Sequence, residues 1–425
     1  MAPTAFQTDE AFPQRLDAED PLRTYRERFH LPIDRDGRPL VYFAGNSLGL
    51  MPRTARTLVD QELDDWARFA VDSHFKEKTP WYSYHEMFRE SGARLVGGHA
   101  GEVVMMNSLT VNLHLMMVSF YRPTKKRYKI IMDAPGFPSD TYAVKSQIAA
   151  HRFDPNDALV WVRPGEGENS IHPGDIESIL EDHGDQVALV LLSGVNFFTG
   201  QVFDIAGITA LAQREGCTVG LDLAHGVGNI PLDLHDWGVD FAVWCNYKYV
   251  NAGPGAIGGC FVHEKHGKNT DLLRLAGWWG NDPVTRFQMQ LLPDFVPAAG
   301  AEGWQVSNPP IFSAVPLRAS LDIFDDAGIP ALRSKSQKLT GYLQFLLDQI
   351  PSGRYEVITP KVPAARGCQL SIRVNDRPKE LFAELEEAGV KGDFREPDVV
   401  RVAPVPLYNT FHEVWRFAQV LAKHA

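Results

Sequence analysis

Cysteine is scarce in this chain. There are four in 425 residues (Cys217, Cys245, Cys260 and Cys368), and no two form a Cys-x-x-Cys pair. That excludes a disulfide framework and a zinc-finger scaffold, and it fits a reducing compartment, the cytoplasm. Long apolar runs are also missing. Stretches such as Val187–Leu192 fall far short of the ~20 residues that a membrane-spanning helix needs. There is no basic excess: 42 Lys and Arg stand against 53 Asp and Glu, a formal net charge of -11. Nucleic acids and anionic membrane surfaces select for basic stripes, so neither is expected as a partner. Near the start, Asp9, Glu10, Asp17, Glu19 and Asp20 stand where a secretory signal would carry basic and then apolar residues. No repeat or low-complexity tract interrupts the chain.

What is present suits a large enzyme. Hydrophobic residues make up 44% of the chain, with 24 Phe, 12 Tyr and 9 Trp, enough for an extensive core. Residues 1 to about 40 are polar and Pro-punctuated, an arm with one helix expected around Asp20–Phe29. A turn-forming stretch, Asn46-Ser-Leu-Gly-Leu-Met-Pro52, leads into a helical pattern through Val59, Leu63, Trp66 and Phe69. Short apolar strands are expected at Val103–Met106, Lys129–Met132, Ala158–Val162, Val187–Ser193, Thr218–Leu223, Phe241–Cys245 and Ile257–His263. Helical patterns at Thr110–Phe120 and Ile205–Glu215 fall between them. Strands alternating with helices predict an α/β fold with a mainly parallel sheet. Beyond Pro310 the texture changes. Helices at Leu317–Asp326, Leu332–Ile350, Pro378–Ala388 and Phe411–Lys423 accompany strands at Cys368–Val374, read as half-exposed, and Val399–Val405. The expected division is an N-terminal segment (1–60) joining a small domain, a large domain (61–307) and a small α+β domain (308–425).

The chemistry gathers around two strand ends. Asp222 and His225 follow one apolar strand, and Tyr247 and Lys248 follow the next. In open α/β sheets, ligands collect at the carboxyl ends of strands. A lysine closing an apolar strand is suited to imine formation, because desolvation lowers its pKa. An aspartate at the neighbouring strand end can hold a pyridinium proton. Taken alone, Lys248 also reads as a snorkelling surface lysine, Asp222 as a helix cap, Thr110 as a plain capping threonine and Phe137 as core. Thr110, at a helix start, can serve a phosphate as well as cap, and Phe137 can stack on a planar ring near Asp140. Gly253-Pro-Gly-Ala-Ile-Gly258 imitates a dinucleotide-binding loop but runs into a strand. His263-Glu-Lys-His266 lacks the spacing of a zincin helix, and no metal is expected.

Together, Asn46-Ser-Leu-Gly-Leu, Asn107-Ser-Leu-Thr-Val-Asn-Leu-His114, Phe137-Pro-Ser-Asp140, Asp222-Leu-Ala-His225, Tyr247-Lys-Tyr-Val-Asn-Ala-Gly253, Ser307-Asn-Pro-Pro310 and Arg401-Val-Ala-Pro-Val-Pro-Leu-Tyr408 resemble the kynureninase family. The resemblance runs in order from about residue 40 to the C-terminus. It implies a pyridoxal 5'-phosphate (PLP) enzyme of aminotransferase fold type I, a seven-stranded type of sheet, and a homodimer with shared active sites. Lys248 would bind the cofactor through an imine, and Asp222 would partner its ring nitrogen. Phe137, Pro138, Ser139 and Asp140 would lie against the cofactor. Leu109 and Thr110 would contact the phosphate, aided by Tyr247, while Ser193 and His225 line the site. Trp278 and Asn308 would arrive from the partner subunit, and Arg401 would clamp the substrate carboxylate. The implied reaction is hydrolysis of L-kynurenine or its 3-hydroxy form to alanine and an anthranilate, in tryptophan catabolism and NAD precursor synthesis. Tyr247 is the expected late proton donor. His74, Ser307 and Asn308, all hydrogen-bonding types, would bound the aryl end and favour the hydroxylated substrate. The rivals are a cysteine desulfurase or class V aminotransferase, for which Cys368 stands at a plausible distance from Lys248 but reads as a structural residue at a strand entry, and a non-catalytic binding protein of the same fold.

Overall fold

The computed structural model describes residues 6–76, 78–351 and 353–424. Seven strands form the central sheet: β1 (Val103–Met105), β2 (Lys129–Asp133), β3 (Leu159–Val162), β4 (Val187–Leu192), β5 (Thr218–Asp222), β6 (Phe241–Cys245) and β7 (Gly258–Val262). Their order across the sheet is β1-β7-β6-β5-β4-β2-β3. Pairing is parallel from β6 through β3, whereas β7 runs antiparallel to both of its neighbours.

Both faces of the sheet are covered, so successive side chains of a strand enter different cores. Val104, Leu189, Leu191, Phe241 and Val243 pack with the helices Leu109–Phe120 and Pro138–Ala150. Val103, Val190, Leu192, Ala242 and Trp244 pack on the other side with Ile205–Arg214 and Ile311–Ala327. This two-sided burial explains why these strands read as unbroken apolar runs. Two glycines, one on each strand flanking β6, admit its large side chains: a Cβ at Gly220 would strike the ring of Phe241, and one at Gly259 the ring of Trp244.

A second core is built on the four-stranded antiparallel sheet of Tyr355–Val357, Leu370–Val374, Asp393–Arg395 and Val399–Val402. It includes Leu339, Tyr342, Leu343, Val414 and Phe417 from two helices, with Phe12, Val41 and Phe43 from the N-terminal segment. Asp17 reaches across to accept the Phe411 and His412 N–H groups at the start of the last helix, at 2.7 and 3.0 Å. The helix Ile311–Ala327 still packs on the large core through Ala314, Val315, Leu317 and Leu321. Ala55–Phe69 is one continuous helix, so a division at residue 60 would cut an element.

Several local expectations are corrected. The helix of the arm lies at Ala11–Glu19, with a 3-10 turn at Arg23–Arg28, because Pro21 pushes Asp20 out of the helical region (ψ 117°). Leu370–Val374 is almost wholly buried, not half-exposed. Its polar positions face the large lobe, where Ser371 Oγ donates to the Phe198 carbonyl at 2.5 Å. Two further helices lie at Pro138–Ala150, which has no clear apolar stripe, and at Pro173–His183, which buries only the short stripe Ile176, Ile179 and Leu180. No helix among the described residues is long and apolar enough to cross a membrane.

Candidate active site

The carboxyl ends of β2, β4, β5 and β6 open into a cavity of about 170 Å³. It is lined by Leu109, Thr110, Phe137, Ser139, Asp140, Ser193, Asp222, His225, Tyr247 and Lys248, with Val195, Phe197 and Ala224. Lys248 projects from the turn after β6, and its Nζ lies 3.0 Å from His225 Nε2 and 5.7 Å from the centre of the Phe137 ring. Burial, then the Lys248 charge, holds the His225 imidazole well below its ordinary pKa. The ring is therefore neutral and can accept a hydrogen bond from the lysine. This direct pairing had no signature in the sequence.

The lysine loop is braced from the N-terminal side. Gly49 N–H donates to the Tyr247 carbonyl at 2.8 Å. A Cβ at Gly49 would come within 2.3 Å of the Lys248 carbonyl oxygen, so only glycine permits this approach. The turn-forming Asn46–Pro52 stretch thus reaches the site through its backbone.

Opposite the lysine, the helices Leu109–Phe120 and Pro138–Ala150 both begin at the cavity, and neither start is capped by its own side chain. Thr110 Oγ1 and Ser139 Oγ lie 3.2 Å apart between them. Two helix N-termini with adjacent hydroxyls are a ready anion cradle. Phe137, 39% exposed, presents ring surface to the cavity.

Asp222 and Asp140 form the polar floor, and both are buried. Asp222 Oδ1 accepts the Ala224 N–H at 2.7 Å. Burial, reinforced by Asp222, drives the Asp140 carboxyl well above its usual range. Asp140 Oδ1 has no hydrogen-bond partner. Burial also raises the Tyr247 phenol, with Cys245, Asp222 and Asp140 adding to it, so the hydroxyl keeps its proton at neutral pH.

Arg401 stands just behind the cavity wall. Its guanidinium donates from Nε to Asp393 Oδ1 at 3.0 Å and from Nη1 to the Phe197 carbonyl at 2.6 Å, and Nη2 lies 2.8 Å from Asp393 Oδ1. Of the five N–H bonds of a guanidinium, two remain for a ligand. Phe197 links Arg401 to the cavity, and its loop is pinned by the buried Asp133. That carboxylate accepts from Ser193 N at 2.9 Å, Ser193 Oγ at 2.7 Å and Asn196 Nδ2 at 2.9 Å. The Ser193 hydroxyl is thus engaged from below. Asp133, Val195, Phe197 and Asp393 escaped sequence reasoning because each acts through a loop or a partner strand distant in the chain.

Six expected site residues do not line this cavity: Arg401, buried behind its wall, and five that lie elsewhere. Pro138, first in its helix, lies in a groove on the other side with Tyr142 and Trp161. Ser307 and Asn308 are exposed. His74 Nδ1 lies 3.0 Å from the Val71 carbonyl oxygen, and its ring packs edge-on to Trp81. Trp278, 42% exposed, packs on Trp279 and Phe287. His74 and Trp278 nevertheless share one aromatic patch, joined through the contacts of Phe75 with His74 and Phe287.

Cys368 is excluded as a working nucleophile. It is fully buried, its backbone N–H donates to Asn229 Oδ1 at 2.8 Å, and burial pushes its thiol up to about 11. The Gly253–Gly258 sequence leads directly into β7 and opens no helix.

Residues 332–421 match the family profile described as Kynureninase C-terminal domain. The chain is 55% identical over 423 residues to the kynureninase of Myxococcus xanthus, spanning 100% of this chain and 99% of that relative. Among solved structures it resembles a cysteine desulfurase of Escherichia coli, with a TM-score of 0.75 at 16% identity, covering 99% of this chain and 98% of that one. It also resembles a C-DES variant carrying glycine covalently linked to its PLP cofactor, with a TM-score of 0.74 at 18% identity, covering 90% and 96%. At such identities these structures establish the fold alone.

Proposed function

This chain belongs to the kynureninase family, and from that premise we propose that it hydrolyses the Cβ–Cγ bond of L-kynurenine or its 3-hydroxy form. The products are L-alanine and the corresponding anthranilate. The observation that carries the reading is the convergence of Lys248, Asp222, Phe137 and two uncapped helix starts on one cavity. These residues fit PLP: an amine for its aldehyde, a carboxylate for its ring nitrogen, a ring face for stacking and N–H groups for its phosphate. When bound, PLP supplies an electron sink for charge developing at the substrate Cα.

The chain's own groups do the remaining work. Asp222, beside Asp140, whose carboxyl is driven well above its usual range by burial and by Asp222, would partner the ring nitrogen and hold a proton there. The Lys248 amine, once free, takes the proton from Cα, with the neutral His225 accepting a hydrogen bond from it. Leu109 and Thr110 bind the phosphate at the helix start. The Tyr247 phenol keeps its proton near neutrality and donates it in the late steps. Arg401 offers its two unused N–H bonds to the substrate carboxylate.

The test is direct. PLP-loaded protein should convert kynurenine to a fluorescent anthranilate, and no turnover of either kynurenine would end the reading. The same assay decides preference. His74, Ser307 and Asn308 can pair with the ring hydroxyl, and one hydrogen bond in a dry pocket is worth about 1–3 kcal/mol. We expect kcat/KM about ten- to a hundredfold higher for 3-hydroxykynurenine, and an unchanged ratio in Asn308→Thr would remove the cause.

The active unit is a homodimer in this reading. Trp66, Phe75, Trp278, Val284, Phe287 and Leu291 leave large apolar surfaces uncovered, and monomers rarely expose such contiguous patches. A closed two-fold pairing buries them and carries Trp278 and Asn308 toward the neighbour's cavity. Mixing inactive Lys248→Ala protomers with inactive Trp278→Ala protomers should regenerate activity, because one site in each mixed dimer is intact. A fully active monomer in sedimentation would overturn it.

A further inference from the structure

At the opposite end of β6 from Lys248, three chain segments meet around a buried carboxylate. Glu102 immediately precedes β1, Glu264 lies two residues past β7, and His235 sits in the loop before β6. Register brings them together, since Val103 pairs with Phe261 and Phe241 with Val262. The His99 segment is locked to the His235 loop by two backbone bonds, Leu234 N to Val96 O at 3.0 Å and His235 N to Gly97 O at 2.9 Å. The approach is so close that a Cβ at Gly97 would lie 2.3 Å from the Leu232 carbonyl oxygen.

Glu102, 1% exposed, is the template. Its carboxylate accepts the backbone N–H groups of His99 and Glu264, each at 2.7 Å. His235 Nδ1 lies 3.0 and 3.1 Å from its two oxygens. The same two residues that pin Glu102 by their backbones turn their exposed side chains back toward it, with His99 Nδ1 3.4 Å from Glu264 Oε2. The His99 and His235 ring centroids lie 3.8 Å apart, with the planes tilted by 34°. One ligand atom from each of His99, Glu102, His235 and Glu264 lies within 4.8 Å of the others. His263, stacked on His235, is already engaged: its Nδ1 accepts the Lys265 N–H and its Nε2 faces the His235 carbonyl at 3.2 Å.

The geometry points to a divalent-metal site, suited to Zn²⁺, formed by His99, Glu102, His235 and Glu264. Two imidazoles and two carboxylates are a borderline N₂O₂ set, and the carboxylates cancel the charge of a dication. Tetrahedral Zn²⁺ holds its ligand atoms about 3.3 Å apart. Small rotations of the exposed His99 and Glu264 side chains bring the four atoms to that spacing, while Glu102 stays fixed by its backbone donors. A carboxylate that only caps backbone N–H groups accounts for Glu102; it does not account for two exposed side chains converging on the same point. The ion would tie the turn before β1 to the turns flanking β6 and β7, remote from the catalytic cavity. Its role is to stabilise the sheet edge.

Isothermal titration of tag-free holoenzyme with Zn²⁺ tests this. We expect one saturable site per chain with micromolar or tighter affinity, and a higher thermal unfolding midpoint in its presence. His99→Ala and Glu264→Gln are exposed positions outside the catalytic cavity, so both should fold and keep basal turnover. Each should weaken zinc binding at least tenfold and lose the thermal shift. Absence of a saturable site, or affinity unchanged in either variant, overturns the assignment.

Discussion

Replacing Lys248 with alanine should leave a folded protein that holds no covalent cofactor and has lost at least about a thousandfold in turnover. In the proposed mechanism the single amine is both cofactor anchor and Cα base, so no other side chain compensates. His225, its 3.0 Å neighbour, is held neutral by burial and has no amine to offer. Folding should survive because Lys248 is only half-buried and its Nζ makes one side-chain hydrogen bond, with His225. The loop stays braced by Gly49 N–H on the Tyr247 carbonyl, a contact the substitution does not touch. The check is an absorption spectrum with PLP added, alongside thermal unfolding. A borohydride-sensitive visible band persisting in Lys248→Ala would move the anchor to another residue.

Arg401→Gln should lower kcat/KM for kynurenine by roughly 30- to 5000-fold, from the 2–5 kcal/mol that truncating a buried, hydrogen-bonded charge pair costs. Most of the loss should appear in KM, because the carboxylate is bound equally in the ground and transition states. The surroundings tolerate the change. Asp393 keeps Arg395 Nη2 at 3.1 Å and Ser47 Oγ at 2.5 Å, and the Phe197 carbonyl keeps Gln369 Nε2 at 3.0 Å. The cofactor spectrum should therefore match wild type. Arg401→Lys should recover only part of the loss, since an ammonium cannot reproduce the planar fork. An unchanged KM in Arg401→Gln would show that the substrate carboxylate binds elsewhere.

The central sheet was legible because strands buried on both faces need apolar side chains at every position, as in Val187–Leu192 and Phe241–Cys245. The small-domain strand Leu370–Val374 was legible as a strand but not in its burial, since polar Ser371 serves an interdomain hydrogen bond. The arm helix was misplaced because polar residues carry little periodicity, and Pro21 set its end.

The sequence alone determined the family and the fold class, and it displayed the residue types on which the proposed chemistry rests. Imine chemistry, ring stacking and phosphate capping demand particular residue types in short contiguous motifs, and Asp222-Leu-Ala-His225 and Tyr247-Lys248 carry those types in the open. Only the tertiary structure decided which groups touch. It placed His225 on Lys248, set Asp140 beside Asp222, tied Arg401 to Asp393 and the Phe197 loop, and gathered His99, Glu102, His235 and Glu264 at the far end of β6. The partners in most of these contacts lie many residues apart in the chain. Their meeting depends on strand order and register, which arise from burying two faces of one sheet at once, and no local pattern encodes that global condition.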